Sequence, residues 1–241
     1  MTNAQSKQSP FAFMVKAFYR LFGRDSEERE EGEATDLTTT TAPQAPDRTF
    51  PNPLIICGPS GAGKGTVIAQ LEEVFPGLFG FSVSHTTRNP RPGEINGVNY
   101  HFTTRAELEA AAWRGEFLET TEYSGNLYGT SRASVETVAN QGRICILDIH
   151  ITAAQRMIED GLEANVLFLK TRDLKVLEER LRARGSKTEE TLTRRLSGAE
   201  EEIELAQNSD FIDRIVVNDE FDTCMEEVLD FLRVRYPESF E

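Results

Sequence analysis

The stretch GPSGAGKGT, residues 58–66, has the glycine spacing of a loop that binds phosphate groups. It follows the short apolar run PLIIC and precedes a predicted helix from about residue 64 to 75. Glycines let backbone N–H groups turn inward around a polyphosphate, and the helix N-terminus adds its dipole. Lys64 is predicted to reach the β- and γ-phosphates of a nucleotide. The predicted loop residues are Gly58, Pro59, Ser60, Gly61, Ala62, Gly63, Lys64, Gly65 and Thr66.

Position 65 is glycine, whereas the phosphate-loop pattern has a Ser or Thr whose hydroxyl contacts Mg²⁺. Thr66 does not replace that hydroxyl directly, because successive helix positions point about 100° apart. Mg²⁺ usually keeps several waters, so an indirect contact suffices. Asp148, at the end of the apolar run ICILD, is predicted to organise the water shell of the metal. Its alternative role is the N-cap of a helix that starts near residue 150.

Arginine and tyrosine are concentrated in SHTTRNPRPGEINGVNY, residues 84–100, which is too rich in Pro and Gly for a helix. Arg88, Arg91 and Tyr100 together suit a phosphate group, since guanidinium groups bind phosphate oxygens in a planar fork. The alternative is a solvated loop whose charges have no function. A second basic cluster comprises Arg180, Arg182, Arg184, Lys187, Arg194 and Arg195. One monophosphate and one triphosphate would account for both clusters and the glycine loop.

The composition limits the classes of function. The chain has 241 residues, of which 39% are hydrophobic, and a formal net charge of −14. This charge argues against a general nucleic-acid binder, which needs a basic face to replace phosphate counterions. The cysteines, at 57, 145 and 224, have no metal-ligand spacing and are predicted to be buried thiols. No apolar run approaches membrane-spanning length.

Residues 1–50 differ in composition from the rest of the chain. Residues 1–24 are basic, residues 25–36 are strongly acidic, and a Thr/Ala/Pro linker follows. We predict a disordered extension with a short amphipathic helix over residues 11–22, which docks on the folded domain or lies in solvent. A membrane-surface or organelle-targeting helix is the alternative. The acidic block does not fit a transit peptide, and the protein is predicted to be cytoplasmic.

From residue 53 onward, continuous apolar runs alternate with helical patterns, which predicts an α/β fold with a parallel sheet covered by helices on both faces. The predicted strands are 53–57, 79–86, two within 117–131, 143–148, 164–170 and 213–218. The predicted helices are 64–75, 105–116, 133–142, 173–184, 188–207 and 221–235.

The motifs in these elements resemble those of the guanylate kinases. FSVSHTTRNPRPGEINGVNYHF is similar to the GMP-binding segment of that family, and EFLETTEYSGNLYGTS, RLRARGSKTEETLTRRL and IVVND follow in the family's order. The resemblance covers about residues 53–235. It implies a P-loop NTPase-type α/β domain over 51–241, with a small mixed α/β GMP-binding region over about 84–131 and a helical lid over about 171–197. The implied reaction is ATP-dependent phosphorylation of GMP, and of dGMP, to the diphosphate with Mg²⁺.

The resemblance also implies roles for individual residues. Guanine would be contacted by Ser84, Glu119 and Thr130. The GMP phosphate would be held by Arg88, Arg91, Tyr100 and Tyr128, with Glu94 bracing the arginines. The charge of the transferring phosphoryl group would be neutralised by Lys64, Arg88 and the lid residues Arg184 and Arg195. Asn218 would lie near the adenine of ATP.

Guanine chemistry supports one of these roles independently. Adjacent N1–H and N2–H₂ donors suit one ionised carboxylate, and Glu119 is the candidate; adenine would leave that carboxylate unpaired. The chain departs from the family at DIHITA, residues 148–153, where His150 replaces an acid that helps to hold guanine. A histidine accepts at one ring nitrogen and donates at the other, so His150 is predicted to substitute in part.

Two classes of function follow from these observations. The first is a guanylate kinase acting on ATP and GMP as a monomer or weak homodimer, without nucleic acid. The second is a guanylate-kinase-like module that has lost catalysis and binds other proteins, for which Gly65 and His150 are the evidence. The intact glycine loop and both arginine clusters favour the enzyme.

Overall fold

The computed structural model describes residues 51–123, 125–183 and 188–240. The predicted helix at 11–22 and residues Arg184 and Lys187 therefore lie outside the described residues. The strands are β1 (Leu54–Cys57), β2 (Phe79–Phe81), β3 (His85–Thr86), β4 (His101–Phe102), β5 (Phe117–Tyr123), β6 (Asn126–Ser131), β7 (Ile144–Asp148), β8 (Asn165–Lys170) and β9 (Arg214–Val217). The helices are α1 (Lys64–Val74), α2 (Arg105–Trp113), α3 (Arg132–Ala139), α4 (Ile151–Glu159), α5 (Leu174–Ala183), α6 (Glu189–Gln207) and α7 (Phe221–Arg235).

Five parallel strands form the central sheet in the order β2-β7-β1-β8-β9. Alternate residues of β1 pack into different apolar clusters, one on each face of the sheet, because successive side chains of a strand point to opposite faces. Leu54 and Ile56 pack with apolar residues of α1 and α7, while Ile55 and Cys57 pack with α4 and part of α6. The sheet is thus buried on both faces, which confirms the predicted α/β fold with helices covering a parallel sheet.

A second sheet, ordered β4-β3-β6-β5, carries the GMP-binding segments predicted from sequence. β5 and β6 form an antiparallel hairpin, and β3 pairs antiparallel with β6 and parallel with β4. This sheet lies between β2 and β7 in the sequence, although those two strands are neighbours in the central sheet. It is therefore an insertion between adjacent core strands.

One predicted strand is wrong in extent. Residues 79–86 were expected to form a single strand, but β2 ends at Phe81 and β3 begins at His85. β2 pairs with β7, whereas β3 pairs with β4 and β6 in the other sheet. The apolar alternation continues across residues 82–84, so the sequence pattern does not reveal that the chain passes from one sheet to the other.

The region predicted as a lid contains α5 and the first half of α6. These helices pack through a small separate cluster that includes Leu177, Leu181, Leu192 and Ala199. Thr188 caps α6 by accepting a hydrogen bond from the Thr191 backbone N–H at 3.2 Å. Within the described ranges, no helix combines the length and apolar character needed to cross a bilayer.

Candidate nucleotide-binding site

The glycine loop connects β1 to α1 and has a backbone that requires glycine. Gly58 and Gly63 have φ angles of 138° and 104°, which side-chain-bearing residues rarely adopt. A Cβ on Gly58 would lie 2.0 Å from the Leu169 carbonyl oxygen, and one on Gly63 would lie 2.2 Å from Asn218 Nδ2. The loop is therefore packed closely against the ends of the neighbouring strands.

Asn218 and Arg180 support this loop through hydrogen bonds to the Ala62 carbonyl. The buried Asn218 amide donates to the Ala62 carbonyl at 2.8 Å. Arg180 donates to the Asn218 carbonyl at 2.9 Å and to the Ala62 carbonyl at 3.4 Å. Asn218 thus supports the loop that was predicted to bind ATP; its contact with adenine stays a prediction. Sequence reasoning placed Arg180 only in a basic cluster and missed this supporting role.

Lys64 and Asp148 lie together at the carboxyl ends of β1 and β7. Lys64 Nζ donates to the Gly58 carbonyl at 2.6 Å and is 3.7 Å from Asp148 Oδ1. Partial desolvation raises the pKa of Asp148, whose side chain stays partly exposed, and the positive charge of Lys64 opposes that rise. A Cβ on Gly65 would meet nothing within 4 Å. The structure therefore places the predicted metal-organising carboxylate beside the predicted phosphate-binding lysine.

The alternative role of Asp148 as a helix cap is wrong, because His150 caps α4. His150 Nδ1 accepts from the Thr152 backbone N–H at 3.3 Å and lies 2.9 Å from Thr152 Oγ1. The other ring nitrogen, Nε2, is 3.4 Å from Glu202 Oε1 of α6. Both nitrogens of His150 therefore face protein groups.

The predicted monophosphate pocket brings five of its residues together. Glu94 accepts a two-pronged pair of hydrogen bonds from Arg88, each 2.9 Å long, and a third from the Arg91 backbone N–H at 2.6 Å. These donors lower the pKa of Glu94 to about 2. The Arg88 guanidinium lies 5.3 Å from the Tyr100 ring centroid, and the Tyr128 ring is 6.0 Å from Tyr100. Arg88 is thus oriented by the protein itself.

Glu119 occupies the position predicted for guanine recognition. It pairs with Thr130 across the β5–β6 hairpin, and Thr130 Oγ1 donates to Glu119 Oε1 at 3.0 Å. Thr121 Oγ1 donates to the other carboxylate oxygen at 2.9 Å, a contact that no pattern in the sequence predicts. Burial raises the pKa of Glu119. Ser84 lies just before β3, where its carbonyl accepts from the His101 backbone N–H at 2.9 Å.

The second basic cluster separates into different environments. Arg180 supports the glycine loop, whereas Arg182 forms ion pairs with Glu178 at 2.8 Å and with Glu189 at 2.5 Å. Arg195 lies on α6, and Arg194 is exposed beside it. Among the described members of the cluster, Arg180 and Arg182 are therefore already paired with protein groups.

The donor set suits Mg²⁺ held with a nucleotide rather than by the protein alone. Within residues 51–123, 125–183 and 188–240, no three His, Cys, Asp or Glu side chains are grouped closely enough to hold a metal ion. Mg²⁺ is commonly bound by one or two carboxylates together with phosphates and waters. Asp148 supplies such a carboxylate, and its side chain is 42% exposed. The residues present therefore fit the predicted water-mediated role.

Comparisons with known proteins agree with this geometry. The family model described as guanylate kinase matches residues 50–235. Human guanylate kinase is 42% identical over 182 residues, which cover 76% of this chain and 92% of that protein. The Sus scrofa guanylate kinase is 44% identical, with 71% and 87% covered.

Two further matches extend the comparison. Guanylate kinase 1 of Oryza sativa is 47% identical over 72% of this chain, and the match spans 46% of that longer protein. The solved guanylate kinase of Anaplasma phagocytophilum superposes with a TM-score of 0.59 at 27% identity, covering 78% of this chain and 87% of that one. The family model covers well over half of the residues, and this chain belongs to the guanylate kinase family.

Proposed function

We propose that this chain transfers the γ-phosphoryl group of ATP to GMP, giving ADP and GDP. The observation that carries the proposal is the coexistence of two anion sites of different kinds in one domain. One is the glycine loop with Lys64 beside Asp148. The other is Arg88, fixed by Glu94 next to Tyr100. A triphosphate donor and a monophosphate acceptor together need both sites.

Selection of guanine would depend on Glu119. Its two oxygens are oriented by the hydroxyls of Thr130 and Thr121, and a carboxylate oxygen has more than one lone pair to offer. Glu119 would accept from N1–H and from one hydrogen of the 2-amino group of GMP or dGMP. Adenine presents no such donor pair, so AMP would leave a largely buried carboxylate without its partners.

Catalysis of this reaction is mainly positioning and charge stabilisation. Lys64 donates to Gly58 in this structure and would exchange that carbonyl for phosphate oxygens of ATP. Asp148 would hold Mg²⁺ through water, and the ion would supply positive charge to the β- and γ-phosphates. Arg88, Arg195 and Arg184 would neutralise charge on the transferring group.

Closure of the two outer regions would complete the site. The GMP-binding region over 84–131 and the lid over 171–197 carry Arg88 and Arg195, whereas Lys64 belongs to the core. Closing both regions over the core would exclude water that otherwise hydrolyses ATP. No covalent intermediate is required.

The test is ADP formation by the full chain in a coupled assay with ATP, Mg²⁺ and one of GMP, dGMP, IMP or AMP. We expect turnover with GMP and dGMP, weaker turnover with IMP because it lacks the 2-amino group, and none above background with AMP. Absence of GMP-dependent ADP formation at every Mg²⁺ concentration would refute the proposed activity and favour the protein-binding alternative.

A further inference from the structure

The carboxylate of Glu119 is held by two threonine hydroxyls that come from the two strands of one hairpin. Thr130 Oγ1, on β6, donates to Oε1 at 3.0 Å, and Thr121 Oγ1, on β5, donates to Oε2 at 2.9 Å. A hydroxyl has one hydrogen to donate, whereas each carboxylate oxygen has about two lone pairs. Each oxygen of Glu119 is therefore held by a threonine and keeps a lone pair for another donor.

The strand register places Thr121 on the face of the hairpin that carries the predicted GMP-binding residues. Glu119 lies opposite Thr130, and Thr121 lies opposite Tyr128. Side chains directly opposite each other share a face of the sheet, and so do side chains two positions apart in one strand. Thr121 is thus next to the predicted guanine acceptor and across from a predicted phosphate-binding residue. The side chain of Thr120 points to the other face.

The hydroxyl of Thr121 also acts on the charge of Glu119. Burial raises the pKa of Glu119, and hydrogen bonds from Thr121 and Thr130 oppose that rise, together with the positive charge of Arg156. A donor to a carboxylate stabilises its ionised form, which is the form that accepts two N–H groups at once. Thr121 therefore contributes both to the orientation of Glu119 and to its charge.

We propose that Thr121 is a positioning residue for guanine, whose hydroxyl holds Glu119 in the orientation that accepts N1–H and one 2-amino hydrogen of GMP. A carboxylate that is already oriented loses less side-chain entropy when the ligand binds, and this increases the affinity. The effect belongs to binding of the base and not to phosphoryl transfer, which takes place at the other end of the nucleotide. The inference rests on the proposed function, since it concerns how GMP is recognised.

The test compares Thr121→Val, which removes the hydroxyl and keeps the branched shape, with wild type, Thr121→Ser and Thr120→Val. Dissociation constants for GMP are measured by titration calorimetry without ATP, and kcat and KM by the coupled assay. We expect Thr121→Val to weaken GMP binding about 3- to 30-fold, with kcat at saturating GMP within about twofold of wild type. Thr121→Ser, which keeps a hydroxyl, and Thr120→Val, the same change on the other face, should both stay within about twofold.

The pH dependence of KM for GMP gives a readout that a change in packing would not move. Loss of a donor to the ionised form should raise the pKa of Glu119 further. On lowering the pH, KM should then begin to rise about 0.5–1 pH unit higher in Thr121→Val than in wild type. Arg156 keeps its charge across this range. The phosphate of GMP titrates at about pH 6 in every variant alike, so the difference between variants reports Glu119.

Unchanged GMP binding in Thr121→Val would overturn the proposal, and so would a Thr121→Ser variant as weak as Thr121→Val. Equal weakening by Thr120→Val, or a fall in kcat as large as the rise in KM, would show a general distortion of the hairpin and would also contradict it. If Thr121→Val fails to fold in a thermal-unfolding check, Thr121→Ala replaces it, since alanine and serine differ by one hydroxyl. Weaker GMP binding by the Ala variant than by the Ser variant would support the proposal, and equal binding would refute it. Failure of the proposed function is distinct, because wild type would then show no GMP-dependent turnover.

Discussion

Gly63→Ala tests whether the contact between the phosphate loop and Asn218 positions that loop. The new Cβ would lie 2.2 Å from Asn218 Nδ2, and residue 63 has φ 104°. An alanine held at such an angle costs about 1–3 kcal/mol. Displacing the buried Asn218 amide removes its hydrogen bond to the Ala62 carbonyl, which then keeps only the 3.4 Å hydrogen bond from Arg180, at a further cost of about 1–3 kcal/mol. We expect the free energy of unfolding to fall by about 2–6 kcal/mol, a large part of a typical domain's total.

The measurement is urea unfolding of the full chain followed by circular dichroism, together with the dissociation constant for ATP. Gly65→Ala is the matched control two residues along, because a Cβ there would meet nothing within 4 Å and the residue is helical. We expect Gly65→Ala to be neutral or more stable by about 0.5–1 kcal/mol, the helical preference for Ala over Gly.

Asn218→Ala removes the atom that the new methyl group at position 63 would strike. In that background Gly63→Ala should cost at least about 1 kcal/mol less than in wild type, since the two residues are in contact and their effects are not additive. A Gly63→Ala variant as stable as Gly65→Ala, or strictly additive effects in the double variant, would refute the assigned role of Asn218.

Three further predictions concern the enzyme and its extension. Lys64→Ala should lower kcat at least about 100-fold while the protein stays folded. Lys175→Ala, at an exposed position of α5, should leave kcat unchanged. Coupled ADP formation measures kcat for both variants. Burial raises the pKa of Glu119, so its ionised form is lost as pH falls through that raised pKa. On lowering the pH, KM for GMP should therefore begin to rise at a higher pH than it would with an ordinary glutamate. Glu119→Gln should abolish this pH dependence. Deleting residues 1–48 should leave kcat and KM within about twofold; an insoluble or inactive product would instead mean that the extension docks on the domain.

Local patterns were sufficient to predict most helices and the arrangement of the core. The closing helix was predicted over 221–235 and is found as Phe221–Arg235, since its apolar face packs directly on the sheet. The hairpin within 117–131 was likewise recovered, because β5 and β6 are adjacent in the sequence. In both cases the residues that determine the element lie inside it.

The unpredicted contacts join residues that are distant in the sequence. Neither the pairing of His150 with Glu202 nor the support of Ala62 by Arg180 leaves a local pattern. The helix cap shows the same limit. An Asp closing an apolar strand resembles a cap, but only the backbone geometry shows that the cap lies two residues later, at His150.

The insertion of the GMP-binding sheet between β2 and β7 has a consequence for the order of folding. These two strands pair only after residues 82–143 have been looped out, so their contact must overcome the entropy of closing a long loop. β5 and β6 pair across a short turn and face no comparable barrier. We expect the hairpin to form early and the five-stranded sheet to close late. The phosphate loop, which needs β1 set between β7 and β8, would then be among the last parts of the molecule to be assembled.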